Sequence, residues 1–130
     1  MNTAKKFGIV NIGIPGNFRR EELRDRLGLT GCEVSVNTLP ASEEIPFVHK
    51  HKNNEEVYLV LSGNGFIFLD GDVWPLKQGD AVKVSPPVER CLKAGDNGPL
   101  TYICVQAGEG ATPEVTKEDG LITRTKAVWK

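Results

Sequence analysis

Polar and apolar positions alternate with a period of two through most of this chain. Cys32, Val34 and Val36 alternate with Glu33, Ser35 and Asn37, the pattern of a strand with one buried face. Pro40 stops that strand, and residues 41–45 read as a loop. The chain is extended again from Phe47 to His51, with Phe47, His49 and His51 on one face. Val57 to Leu61 is apolar at every position. Such a strand needs cover on both faces. Val57, Leu59 and Leu61 should therefore lie under the N-terminal strand or a second subunit. Phe66 to Leu69 returns after Gly63-Asn64-Gly65, and Asp70-Gly71 is a two-residue hairpin signal leading into Val73-Trp74. Ala81 to Val84 follows the turn at Lys77–Asp80 and ends at Ser85-Pro86-Pro87, since proline offers no ladder donor. Val88 to Lys93 and Leu100 to Gln106 are further strands, and Leu121 to Val128 adds one more. Many short strands at this spacing predict a closed or double-sheet β-barrel.

Only one stretch departs from this period. After an extended piece from Phe7 to Ile14, ended by Pro15-Gly16, the pattern predicts a short surface helix over Phe18–Leu27. Asn17 would cap it, Leu23 and Leu27 form an i, i+4 pair, and Gly28 stops it. The expected organisation is one domain over residues 1–130. Its barrel core spans about 32–106, with an N-terminal extension (1–31) and a C-terminal extension (107–130) that wanders polar and Gly-rich through residues 108–120. Phe47, Phe66, Phe68 and Trp74 are expected in the core or lining the barrel.

Composition narrows the function. Sixteen basic residues nearly balance seventeen acidic ones, which argues against a nucleic-acid or membrane-surface binder. No apolar run is long enough to span a bilayer, and no signal-peptide pattern follows Lys5-Lys6. The three cysteines, Cys32, Cys91 and Cys104, are widely spaced with no CxxC pair. They predict neither a disulfide framework nor a thiolate zinc site, and a reducing cytoplasm is the simplest location.

The chemistry is concentrated between Pro46 and Gly63. Both histidines of the chain, His49 and His51, are one residue apart. Residues i and i+2 of a strand share a face, so the two imidazoles suit one divalent cation. Glu55 and Glu56 open the next strand, and a carboxylate there completes a two-His, one-carboxylate face. The bland alternative is a pair of solvated or core histidines, with Glu56 in a structural ion pair.

These residues resemble the first motif of the cupin superfamily. His49-Lys50-His51, Glu56 and Gly63 stand at that motif's spacing. Glu55 misses the register by one, which on a strand means the other face. Gly79-Asp80 followed by Ser85-Pro86-Pro87 and running to Asn97 resembles the second motif. In the family that motif holds a histidine, the usual fourth ligand; Arg90 stands here, and Pro87 replaces the glycine that commonly follows the proline. The resemblance covers about residues 46–106. It implies an all-β fold, a double-stranded β-helix (jelly-roll) cupin barrel with one short N-terminal helix and a metal site in its mouth. It also implies a divalent ion (Zn, Fe, Mn or Ni) on His49, His51 and Glu56, and a homodimer. Family activities include isomerases, epimerases, dioxygenases and decarboxylases beside non-enzymatic binding modules, so the fold does not select a reaction.

Arg90 divides the functional expectations. It either pairs with Glu56 in a metal-free site, or anchors an anionic substrate beside a three-ligand metal, or reaches out to solvent and leaves a coordination position open. Tyr58 shares the inward face with Glu56 and is a second substrate-binding candidate, with core packing as its alternative. Gln106 is a marginal pocket candidate. No general base stands out. The reading is a metal-holding barrel that acts on or binds a small polar molecule such as a sugar or carboxylate. The alternative is a non-catalytic ligand-binding or dimerising barrel with a degenerate site.

Overall fold

The computed structural model describes residues 6–112 and 119–129. Its elements are β1 (Arg20–Glu22), α1 (Arg24–Leu27), β2 (Glu33–Leu39), β3 (Asn54–Ser62), β4 (Gly65–Leu69), β5 (Asp72–Leu76), β6 (Ala81–Val84), β7 (Arg90–Ala94) and β8 (Leu100–Gly108). They form two antiparallel sheets, ordered β1-β2-β8-β3-β6 and β5-β4-β7. Isolated bridges from Glu44 to Lys93 and from His49 to Arg90 lay the segment before β3 along β7 and widen the smaller sheet. The result is the all-β double-sheet barrel that the alternation predicted, in the jelly-roll form that the resemblance implied.

The core lies between the sheets, where Tyr58, Val60, Ile67, Leu92, Leu100 and Tyr102 are almost fully buried. Strand parity does the sorting. Along β3, Glu56, Tyr58 and Val60 are buried while Val57 and Leu59 between them are exposed. The β4–β5 hairpin turns at Asp70 (φ 46°) and Gly71 (φ 95°), the two positive φ values of the tight turn expected from Asp-Gly. Pro75 is tolerated in β5 because that strand pairs only with β4 and needs no donor on its free side.

Three expectations are corrected. The helix over Phe18–Leu27 shrinks to a single turn: Arg20–Glu22 pair with β2 as a short strand, and only Arg24–Leu27 is helical, without a side-chain cap. The free edge of β2 offers these residues ladder bonds, and that tertiary pairing overrides a weak helical preference. Gly28 does close the turn, at φ 69°. Residues 121–128 are not a strand and are exposed, because no strand among the described residues pairs with them; part of the C-terminal stretch (113–118) lies outside the described residues. Phe47 (59% exposed), Phe66 (42%) and Trp74 (56%) are not core. Phe66 points to the outer face of the small sheet, and Trp74 stands on its edge strand. Of the cover expected over Val57 and Leu59, the described residues supply only part, leaving 40% and 37% of their surface exposed.

Candidate metal centre

β3 brings Glu56 into one end of the barrel, and the preceding loop brings the two histidines over it. That loop is fixed by backbone bonds. His49 and Arg90 exchange N–H donors and carbonyl acceptors (3.1 and 3.0 Å), and the His51 N–H donates to the Pro86 carbonyl at 2.9 Å. The imidazoles of His49 and His51 stand edge to face with centroids 5.2 Å apart, on the same side as the period of two requires. Donor atoms of His49, His51 and Glu56 lie within 4.8 Å of one another. These are the three residues selected from the sequence, and the fold places them together.

Glu56 is the hub. It is 3% exposed. Its Oε1 accepts from the Tyr58 hydroxyl at 2.5 Å and from Arg90 Nη1 at 2.8 Å. Its Oε2 lies 3.2 Å from His51 Nε2 and accepts from Cys104 Sγ at 3.4 Å. Burial raises the Glu56 pKa, but the hydrogen bonds from Tyr58, Arg90 and Cys104 and the nearby His51 outweigh it and hold the carboxyl below its ordinary range. Burial pushes the Tyr58 hydroxyl and the Cys104 thiol up, the thiol to about 12, so both remain protonated donors. Burial also lowers the His49 pKa, with help from His51 and Arg90. A neutral imidazole is the form that ligates metals.

Arg90 does not reach solvent, and it presents no donor to a ligand. Its side chain is fully buried. Nε donates to the Val88 carbonyl at 3.0 Å, and Nη2 lies 2.7–2.9 Å from the carbonyls of Ser85, Pro86 and Val88. The turn that ends β6 therefore wraps the guanidinium and aims it at Glu56. Of the three arrangements open from the sequence, Arg90 adopts the ion pair. Tyr58 is likewise behind Glu56, 3% exposed, with its hydroxyl on the carboxylate. Gln106 accepts from Asn54 Nδ2 at 3.0 Å, a polar pair at the same end. Sequence reasoning passed over the contact from Cys104; its position opposite Tyr58 in the β3–β8 register carries the signal.

The residues fit a cation by one further observation. Nδ1 of His49 is buried with no hydrogen-bond partner. Buried polar atoms rarely lack partners, and a ligated metal supplies one. The hydrogen bonds that Tyr58 and Arg90 give to Oε1 are the support that ligating carboxylates commonly receive from outer residues.

The family pattern of the Cupin domain matches residues 35–106, more than half of the chain. The chain belongs to the cupin family. A crystal structure of a cupin protein from Bacteroides fragilis superposes with a TM-score of 0.85 at 39% identity, covering 92% of this chain and 98% of that one. The plu4264 protein from Photorhabdus luminescens shares the fold with a TM-score of 0.62 at 16% identity, over 72% of this cupin and 78% of that chain. Among curated proteins, an uncharacterized protein of Methanocaldococcus jannaschii is 33% identical over 57 residues. The matched region spans 44% of this chain and 46% of that protein, so the two share about half their lengths. In this cupin His49, His51 and Glu56, the residues that the first-motif resemblance singled out, lie together. No helix among the described residues is long and apolar enough to cross a membrane.

Proposed function

We propose that this cupin holds a divalent cation on His49, His51 and Glu56 and binds a small polar molecule, such as a sugar or carboxylate, at that centre. One observation carries the reading: three ligand atoms within 4.8 Å, one histidine of the set having a buried nitrogen that lacks a partner. Three protein ligands leave positions for an exogenous molecule, which is how catalytic metal sites differ from closed structural ones. When bound, the cation would polarise an oxygen of the coordinated molecule. The chain's own residues have separate tasks. Arg90 and Tyr58 fix one oxygen of Glu56 and leave the other on the histidine side. Cys104, protonated, donates to that second oxygen. His51, 26% exposed at its side chain, is the more accessible partner of the buried Glu56.

A second reading rests on the Arg90–Glu56 pair. A guanidinium that already neutralises the only carboxylate of the set weakens its attraction for a cation, which favours a metal-free, ligand-binding barrel. Elemental analysis separates the two. The purified protein and its His49→Ala and His51→Ala variants are analysed as isolated and after reconstitution with zinc, iron, manganese or nickel. Close to one metal per chain, lost in both variants, is the expected result. A chain that takes up none of the four metals establishes the second reading instead.

A further inference from the structure

We propose that Arg20 and Tyr102 bind the carboxylate of a small organic acid on the inner face of the large sheet, beside the His49, His51 and Glu56 centre. This rests on the reading of that centre as a ligand site and narrows its ligand from a polar molecule to an anionic one. The register sets four residues in one row. Arg20 of β1 pairs with Asn37 of β2, Asn37 with Tyr102 of β8, and Tyr102 with Val60 of β3. Directly paired residues share a sheet face, and Val60 and Tyr102 belong to the core between the sheets, so the row points inward. The neighbouring row on that face holds Cys104 and Tyr58, and both donate to Glu56. The Arg20 row thus lies one step from the groups that hold the Glu56 carboxylate.

Tyr102 is the group that the fold leaves unexplained. It is 4% exposed, and its ring lies 5.9 Å from that of Tyr58. Tyr58 gives its hydroxyl to Glu56; the Tyr102 hydroxyl has no hydrogen bond among the described residues. Buried tyrosines usually find a partner for that group. Nor is the hydroxyl sealed in, since His49 Nδ1 is the one fully buried side-chain polar atom there without a partner. Burial raises the Tyr102 pKa and the Arg20 charge pulls it down again, so the hydroxyl is a protonated donor within the field of the guanidinium. Arg20 supplies the charge. Its Nη1 donates to Asn37 Oδ1 at 2.7 Å and its Nε to Glu22 Oε1 at 2.8 Å, which leaves Nη2 unused. Asn37 is itself fixed by donating to Ser35 Oγ at 3.0 Å. The Arg20–Glu22 pair is half exposed, and such pairs contribute little, so a ligand carboxylate can share the guanidinium. Charge then selects the ligand class. Arg90 neutralises Glu56 and Arg20 neutralises Glu22, and ligating imidazoles are neutral. No carboxylate of these residues is left to balance a divalent cation. An organic acid supplies the missing negative charge, and a neutral sugar does not.

Isothermal titration calorimetry of the full chain with succinate, and with glucose as the neutral control, tests this on metal-free and on zinc-reconstituted protein. Succinate is expected to bind and glucose is not. Arg20→Gln should weaken succinate binding by about 10- to 100-fold, the loss of a hydrogen bond between charged groups, with metal content unchanged. Tyr102→Phe should weaken it by about 3- to 10-fold without lowering the urea midpoint, because the hydroxyl it removes has no partner among the described residues. A merely structural hydroxyl would lower the midpoint and leave binding alone. A protein that takes up no metal yet binds succinate through Arg20 upholds this proposal and rejects the cation. Metal uptake with no heat from millimolar succinate does the reverse. Succinate binding indifferent to both variants, or glucose binding in its place, also overturns the proposal.

Discussion

Arg90 and Glu56 are the residues on which the stability of the site end turns. Breaking a buried pair leaves one charge in the core without compensation. Arg90→Met is expected to destabilise the protein by about 3–5 kcal/mol, read from urea unfolding. Glu56→Gln in the same background should recover part of that loss, because the stranded charge is gone, and the double-mutant cycle reports the coupling. The pH dependence of the metal-free protein belongs to the same cluster. His49 has a folded pKa below its ordinary 6.5, so the unfolded chain binds more protons and stability falls as pH drops below that value. Glu56, also lowered, from 4.5, adds a second loss that begins near that pH and continues down through its folded pKa. Unfolding free energy measured from pH 8 to 3 should show both limbs. Glu56→Gln should flatten the acid limb and deepen the one near neutrality, because the Glu56 carboxylate raises the His49 pKa against burial.

The strands are held in register by a few backbone positions that admit no side chain. Gly63 ends β3 at φ 85°, and a Cβ there would lie 2.0 Å from the Pro99 carbonyl oxygen. Gly63→Ala is therefore expected to cost at least about 3 kcal/mol from strain and overlap together. Gly71 offers the contrast. Its φ is 95°, but nothing lies within 4 Å of a Cβ, so Gly71→Ala should cost only the backbone strain, about 1–3 kcal/mol. Chemical denaturation of the two variants checks the order. At this scale the hairpins were legible because turn chemistry is local. The β1–α1 region was not, because the edge of β2 that captures Arg20–Glu22 lies elsewhere in the chain.

At the scale of the molecule, a cation held by three residues links the folding of the loop to that of β3. A ligand that binds only the native state stabilises it by about 2.7 kcal/mol at a hundred times its dissociation constant. Reconstituted protein should thus unfold at a higher temperature than the metal-free form. His49→Ala should abolish that rise while leaving the metal-free midpoint within a few degrees of wild type, its side chain being only partly buried. Differential scanning calorimetry distinguishes this from a non-specific ion effect, which would persist in the variant.

Alternation, turn residues and the His49-Lys50-His51…Glu56 spacing determined the β class, most strand positions and the inward face carrying Glu56, because side-chain direction on a strand depends only on parity. The same parity put Tyr58 beside Glu56 and turned Glu55 away. Tertiary structure alone decided what Arg90 does. Its partners, the carbonyls of Ser85, Pro86 and Val88 and the carboxylate of Glu56, meet only when the turn after β6 closes over the start of β3. It also decided that Phe66 and Trp74 lie outside the core: Phe66 falls on the outer sheet face, and Trp74, opposite the buried Ile67, stands on the edge strand of its sheet. And it decided that, on the outer face of the larger sheet, Val36, Thr38 and Thr101 are buried while Val57 and Leu59 stay exposed, which no pattern within β3 foretells.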